Sequence, residues 1–241
     1  MLDEIGAALD RLDSDPAPAA VRFDEDAPLA GHVVVLPAAF NPPTLAHLHL
    51  LQRAAEHAGP AHPLALLTTR NVDKAIFGAS LPHRVAMLLA ARADHGGFAV
   101  AASNQARILD QAGALRAAFP AATFDFVVGF DTLERLFAPR YYTDMERELR
   151  EFFSRHRVLA ANRGEMSPSA VGLWIEEHTG PFSCAVTLLP IDPAPARLSS
   201  TLARQAASSL AGRDVVPPAV YRYIVESGLY LERTVHEDEA L

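Results

Sequence analysis

The chain predicts a Rossmann-like α/β fold, a doubly wound and mostly parallel sheet with helices on both faces, and three observations carry it. Short aliphatic runs recur along the sequence. Segments with apolar residues at helical spacing separate them. A Pro-rich turn joins the first central run, His32-Val33-Val34-Val35-Leu36, to the first of those segments. Runs apolar on both sides read as strands buried on both faces, and strand–helix alternation implies right-handed crossovers in a parallel sheet. In such a sheet ligands bind at the carboxyl ends of the strands.

Taken in order, Leu2, Ile5, Leu9 and Leu12 recur at helical spacing with acids between them, and Asp15-Pro16-Ala17-Pro18 breaks the pattern. Residues 1–30 therefore read as a short docking helix and linker. Strands are expected over residues 32–36, 64–68, 98–102, 124–128, 157–161 and 185–189. Helices are expected over residues 45–51, 81–93, 104–118, 131–137, 143–155, 168–178, 200–210 and 218–227. There is no internal repeat, so residues 31–231 read as one domain, and residues 232–241, with Glu237 to Glu239, as a solvated acidic tail.

The bulk numbers narrow the classes. The chain has 241 residues, 50% apolar and 21% charged, which suits a globular protein with a real core and excludes disorder over most of its length. The stretch from His32 to Gln52 carries no Asp, Glu, Lys or Arg, yet it holds Pro37, Asn41, Pro42, Pro43, His47 and His49, which a lipid-facing helix does not tolerate. The N-terminus carries Asp3 and Glu4 and lacks a basic segment followed by an apolar core, so it does not read as a secretory signal, and the expected setting is cytoplasmic. Cys184 is the one cysteine; its flank reads as strand entry and the thiol as buried and structural. The histidines show no spacing that would build a metal cage.

A net charge of −8 argues against a nucleic-acid or anionic-membrane surface, so an anionic small ligand would need a local cationic pocket. Among 21 basic residues Lys74 is the single lysine. A lysine is a compact point charge that can approach one phosphate oxygen, whereas arginine is a planar fork.

Two segments carry the chemistry. The first is Phe40-Asn41-Pro42-Pro43-Thr44-Leu45-Ala46-His47, at the junction of the first central strand and its helix, where backbone N–H groups and a helix N-terminus meet bound phosphate. Thr44 reads as the N-cap. His47, one turn on, shares its face, so an imidazole N–H there suits charge building on a phosphorus centre. The second is Leu198-Ser199-Ser200-Thr201-Leu202-Ala203-Arg204, another capped helix start, with Arg204 one turn in and able to clamp a phosphate.

These residues resemble the nucleotidyltransferase superfamily with the [H/T]-x-G-H signature. Within it they are most similar to the nicotinamide or nicotinate mononucleotide adenylyltransferases, as a divergent branch. The usual loop of that group is G-G-[ST]-F-N-P-x-H-x-G-H, and Phe40, Asn41, Pro42 and His47 fit it, with Thr44 as the Thr variant. Pro37-Ala38-Ala39 replaces the glycine pair and Ala46 stands where Gly is usual. Leu198 to Arg204 looks like the family's I-S-S-T-x-x-R, Lys74, Arg84 and Met87 its Lys and R-x-x-M, and Gly129-Phe130-Asp131 its G-x-D. Residues 137–142 and 216–230 are similar to further family segments.

The resemblance implies transfer of AMP from ATP, accompanied by Mg²⁺, to a pyridine mononucleotide, with release of pyrophosphate. Catalytic roles would fall to Thr44, His47, Lys74 and Arg204. Nucleotide contacts would come from Ala39, Phe40, Asn41, Thr44, His47, Lys74, Gly129, Asp131, Ser199, Ser200, Thr201 and Arg204, with Arg84 in support. Neither nucleic acid nor membrane is an expected partner, and a homo-oligomer stays open. Open too are a cytidylyl- or pantetheine-phosphate adenylyltransferase and, given Ala38, Ala39 and Ala46, an ATP-binding or ATP-hydrolysing relative without transfer. Asp131 also reads as a helix N-cap. Trp174, among Val171, Ile175 and two acids, reads as core rather than as a base-stacking platform.

Overall fold

In the computed structural model, which describes residues 1–24, 28–70, 78–207 and 210–230, the first central run is strand β2 (Gly31–Ala38), flanked by a helix α1 (Leu2–Ser14) and a short strand β1 (Ala20–Arg22). The chain then alternates: α2 (Leu45–Ala58), β3 (His62–Thr68), α3 (Leu81–His95), β4 (Ala99–Ser103), α4 (Ile108–Ala118), β5 (Ala122–Gly129), α5 (Phe130–Leu136), α6 (Met145–Phe153), β6 (Val158–Ala161), α7 (Pro168–His178), β7 (Val186–Leu189), α8 (Pro193–Arg197), α9 (Ser200–Gln205) and α10 (Pro218–Glu226).

The seven strands lie in the order β1-β4-β3-β2-β5-β6-β7, all parallel except β1 against β4. The six parallel strands thus wind outwards in two directions from β2 and β5. That is the doubly wound arrangement, with its switch point between those two strands. Period-two alternation sends successive residues to opposite faces: Val34, Leu36, Ala65 and Leu67 join a core under α1, α2, α3 and α10, while Val33, Val35, Leu64 and Leu66 join a core under α4, α5, α6 and α7.

The segment expected to be a linker contributes to the sheet. Asn104, buried, donates through Nδ2 to the carbonyls of Leu12, Asp15 and Ala17 at 2.9–3.2 Å, and its Oδ1 accepts the Ala19 N–H at 2.9 Å, which seats β1 beside β4. Asn104 is thereby occupied outside α4, which starts at Ile108 rather than at residue 104. Ile5, Leu9 and Leu12 bury against α3, where Gly6 lies against Pro82.

Cys184 corrects the sequence reading: it is exposed, because a 3₁₀ turn (Gly180–Ala185) precedes β7 in place of an extended strand entry. The helix expected over residues 200–210 ends at Gln205. Lys74 and Glu237 to Glu239 lie outside the described residues. Among the described residues no helix is long and apolar enough to cross a membrane.

Candidate active site

A cavity of about 530 Å³ opens at the carboxyl ends of β2, β5 and β6, beside the switch point. Its floor is the turn after β2. Phe40 sits there at φ +44 with its ring 1% exposed, a left-handed conformation that a bulky residue adopts only when its surroundings impose it. One of the surroundings is Arg84 of α3, also 1% exposed. Its Nε donates to the Ala79 carbonyl at 2.9 Å and its Nη1 to the Ala39 carbonyl at 3.1 Å, so it holds the loop from beneath.

Thr44 is fully buried at the N-cap of α2. Its backbone N–H donates to His47 Nδ1 at 3.0 Å, and its hydroxyl lies 2.8 Å from the same nitrogen. A nitrogen that accepts an amide N–H must carry a lone pair, so the ring proton sits on Nε2. Burial holds the imidazole well below its ordinary value, at about 3, with the positive charge of Arg163 adding to the effect. The Phe40 ring packs 5.0 Å from the imidazole. His47 is therefore a neutral, oriented Nε2–H donor on the cavity wall.

Helix α9 closes the wall from the far end of the chain. Ser200 Oγ donates to the Pro42 carbonyl at 2.8 Å; Arg204 Nη1 donates to the Asn41 carbonyl at 2.7 Å and its Nη2 to Thr201 Oγ1 at 3.1 Å. The two segments singled out in the sequence thus meet around one cleft, which both His47 and Arg204 line. Ser199, expected as a nucleotide contact, caps the helix, its Oγ accepting the Leu202 N–H at 3.1 Å, and does not line the cavity. The Asn41 side chain, 4% exposed, is also engaged by protein, accepting from Ala79 N–H and from the Tyr230 hydroxyl.

Gly129 and Asp131 line the cavity at the end of β5. Gly129 is the N-cap of α5, so Asp131 falls in the first turn; it stands at the rim, with one oxygen 3.7 Å from Arg163 Nη1. Arg163 carries no motif. It stands two residues past the end of β6, at the carboxyl end where this fold places ligands, and position in the fold is the signal that would have found it. Asn162 beside it ties the ends of β6 and β7 through two bonds with the Ile191 backbone, at 2.7 and 3.0 Å.

Sequence reasoning also missed Arg107, Arg135, Tyr141 and Tyr142 on the wall. Arg107 grips Asp110 with Nε and Nη2 at 2.7 and 2.9 Å, and its Nη1 reaches Glu148 at 3.0 Å and the Tyr141 carbonyl at 2.8 Å. Trp174 lies off the cavity, edge-on to Phe130 and Phe137 and stacked on His178, as its core reading anticipated. Among the described residues the wall carries Arg84, Arg107, Arg135, Arg163 and Arg204 against Asp131 alone, a cationic cleft in a chain of net charge −8. No three His, Cys, Asp or Glu side chains converge among the described residues.

Fold and cleft together define a doubly wound α/β protein with a cationic cleft beside its switch point. The chain belongs to the Cytidylyltransferase-like family, whose model matches residues 35–206. It is 28% identical over 199 residues to a protein from Neisseria meningitidis serogroup A named as a nicotinate-nucleotide adenylyltransferase, covering 79% of this chain and 94% of that one. A Schizosaccharomyces pombe protein named as a nicotinamide mononucleotide adenylyltransferase is 29% identical over 135 residues, 54% of this chain and 53% of its own. Among solved structures, Plasmodium falciparum nicotinic acid mononucleotide adenylyltransferase complexed with NaAD superposes with a TM-score of 0.62 at 17% identity, covering 83% of this chain and 97% of its own. The same enzyme complexed with APC gives 0.59 at 16%, covering 83% and 96%. At such identities these two structures speak for the fold.

Proposed function

We propose that the protein transfers AMP from MgATP to nicotinate or nicotinamide mononucleotide, forming the pyridine dinucleotide and releasing pyrophosphate. The observation that carries this reading is the meeting of the Thr44–His47 turn and the Ser200–Arg204 turn around one cationic cleft. A phosphate oxygen of the mononucleotide attacks the α-phosphorus of ATP in line. The bond from the α-phosphorus to the bridging oxygen breaks, and pyrophosphate leaves with that oxygen. Chemistry of this kind needs positioning and charge stabilisation rather than a covalent enzyme intermediate.

In that geometry His47 Nε2–H donates to a non-bridging oxygen whose negative charge grows in the transition state, and Thr44 fixes the tautomer that allows it. Arg204, anchored through Nη1 on the Asn41 carbonyl and through Nη2 on Thr201 Oγ1, presents its positive charge to the polyphosphate. Lys74 completes the cationic set on this reading. Mg²⁺ arrives with the triphosphate, held by phosphate oxygens and water; a wall whose acid is Asp131 at the rim suits a cation carried by the nucleotide better than a resident one. On this reading residues 31–231 make up the transferase unit, with α1 packed on its α3 and β1 paired to its β4. The substrates, ATP and a mononucleotide, suit a cytoplasmic setting.

The test is a product assay with purified protein, MgATP and each mononucleotide in turn, following pyrophosphate and dinucleotide together. CTP with a phosphorylated alcohol, and ATP with phosphopantetheine, serve as rival substrate pairs. Dinucleotide formed in step with pyrophosphate is the expected result. Turnover with a rival pair but with neither pyridine mononucleotide would overturn the assignment.

A further inference from the structure

We propose that Tyr230 is a positioning residue for the transfer step, setting through Asn41 where Arg204 stands on the cavity wall. The proposal rests on the transferase reading above. Tyr230 follows α10 at φ +58, a left-handed conformation that only glycine adopts freely, so its ring is held there by its contacts. Its hydroxyl donates to Asn41 Oδ1 at 2.7 Å. The same oxygen accepts the Ala79 N–H at 3.2 Å, and the main-chain carbonyl of Asn41 accepts Arg204 Nη1 at 2.7 Å. Three segments distant in sequence therefore converge on one asparagine.

That asparagine has little freedom. It is 4% exposed, and Gly78 presses so close that a Cβ there would fall 2.6 Å from Asn41 Nδ2. The Tyr230 hydroxyl completes the enclosure. Burial pushes the phenol above its ordinary value, against the pull of Arg84 and Arg204, so Tyr230 is a neutral donor around neutral pH. A carboxylate in its place would neutralise Arg204; a phenol holds the loop and leaves the guanidinium its charge.

Without that hydroxyl the Asn41 amide loses one of its donors, and the carbonyl that anchors Arg204 is no longer fixed from that side. Misplacement of a clamp affects a transition state of exacting geometry more than it affects binding of the flexible triphosphate. Tyr230→Phe removes the hydroxyl and nothing else.

The experiment is a double-mutant cycle over wild type, Tyr230→Phe, Arg204→Lys and the double variant, measuring kcat and both KM values. Tyr230→Phe is expected to lower kcat about fivefold, the worth of one hydrogen bond, with the mononucleotide KM unchanged. In the Arg204→Lys background the same change is expected to have less than a twofold effect. Effects that multiply independently, or an unaltered kcat, overturn the proposal, as does a thermal melt showing Tyr230→Phe unfolded at the assay temperature. Calorimetric binding of α,β-methylene-ATP to the same four proteins is expected to change little with Tyr230→Phe, and a loss of affinity that matches the loss of kcat overturns the positioning role. If wild type makes no dinucleotide the pyridine-nucleotide assignment falls, while coupling between positions 230 and 204 is still read from kcat with the rival substrate pair that turns over.

Discussion

A neutral histidine in a cationic cleft has a specific consequence for the chemistry. With Nδ1 tied to the Thr44 amide and hydroxyl, His47 has one donor, and it carries no net charge that would hold the ground-state triphosphate tightly. On the transferase reading its hydrogen bond would strengthen as charge develops on phosphorus. His47→Ala is therefore expected to lower kcat by a factor on the order of 10²–10³, with ATP affinity changed far less, as steady-state kinetics beside analogue binding would show. The depressed pKa also fixes a sign. Between about pH 6.5 and the folded-state value of about 3 the unfolded chain binds a proton at His47 that the folded protein refuses. The contribution to stability is present above the unfolded pKa and is lost as pH falls through that window. Imidazole ¹⁵N shifts should report a neutral, Nε2-protonated ring at pH 5; an imidazolium there would refute this account. At this scale the Thr44–His47 face was legible because one helical turn brings i and i+3 together, and Arg204 because a hydroxyl-capped helix start precedes it. Ser199 serves as a helix cap, and its local sequence could not tell that role from a ligand contact because both ask for the same residue type. Arg163 left no local trace, since only the end of β6 puts it in the cleft.

Elements are tied to one another by buried and half-buried polar side chains rather than by apolar contact alone. Arg84 joins α3 to the turn after β2, and Arg107 joins the start of α4 to α6 and to the Tyr141 backbone. Hydrogen bonds to Asp110 and Glu148 hold Arg107 above even the usual guanidinium value, so it stays charged on the cavity wall. Arg107→Ala strands Asp110 and Glu148 half-covered without their shared cation and frees the segment carrying Tyr141 and Tyr142. A fall in Tm of roughly 5 °C is expected by thermal melting, from charged hydrogen bonds worth about 1.5–3 kcal/mol spread over a chain of this size. Alternation of aliphatic runs with helical periods made the six parallel strands legible, because burial on both faces leaves a continuous apolar signature. β1 was not: its three residues are all of intermediate burial, and its place depends on Asn104, more than eighty residues away.

Across the whole molecule, charge is distributed against its net value. A chain of −8 repels nucleotides at long range, whereas the arginines of the cleft attract them at short range. Added salt screens exposed charges beyond about 8–10 Å and leaves close, partly buried pairs comparatively intact. Raising NaCl from 0.05 to about 0.5 M is therefore expected to raise the KM for ATP only a few-fold; a loss of affinity by orders of magnitude would place the nucleotide on an open surface instead.

The edge strand beside β4 bears on how the chain behaves outside any reaction. β4 is five residues, Ala-Val-Ala-Ala-Ser, all buried and none charged, and its outer side is matched by β1 in antiparallel register. Bared by proteolysis of the N-terminal strap, that side would present an unmatched ladder of amides and carbonyls on a smooth, uncharged ribbon, the template on which sheets from separate chains stack into aggregates. The first twenty-odd residues thus act as a guard rail, and a trimmed protein should be recognised by light scattering before any loss of its chemistry is noticed.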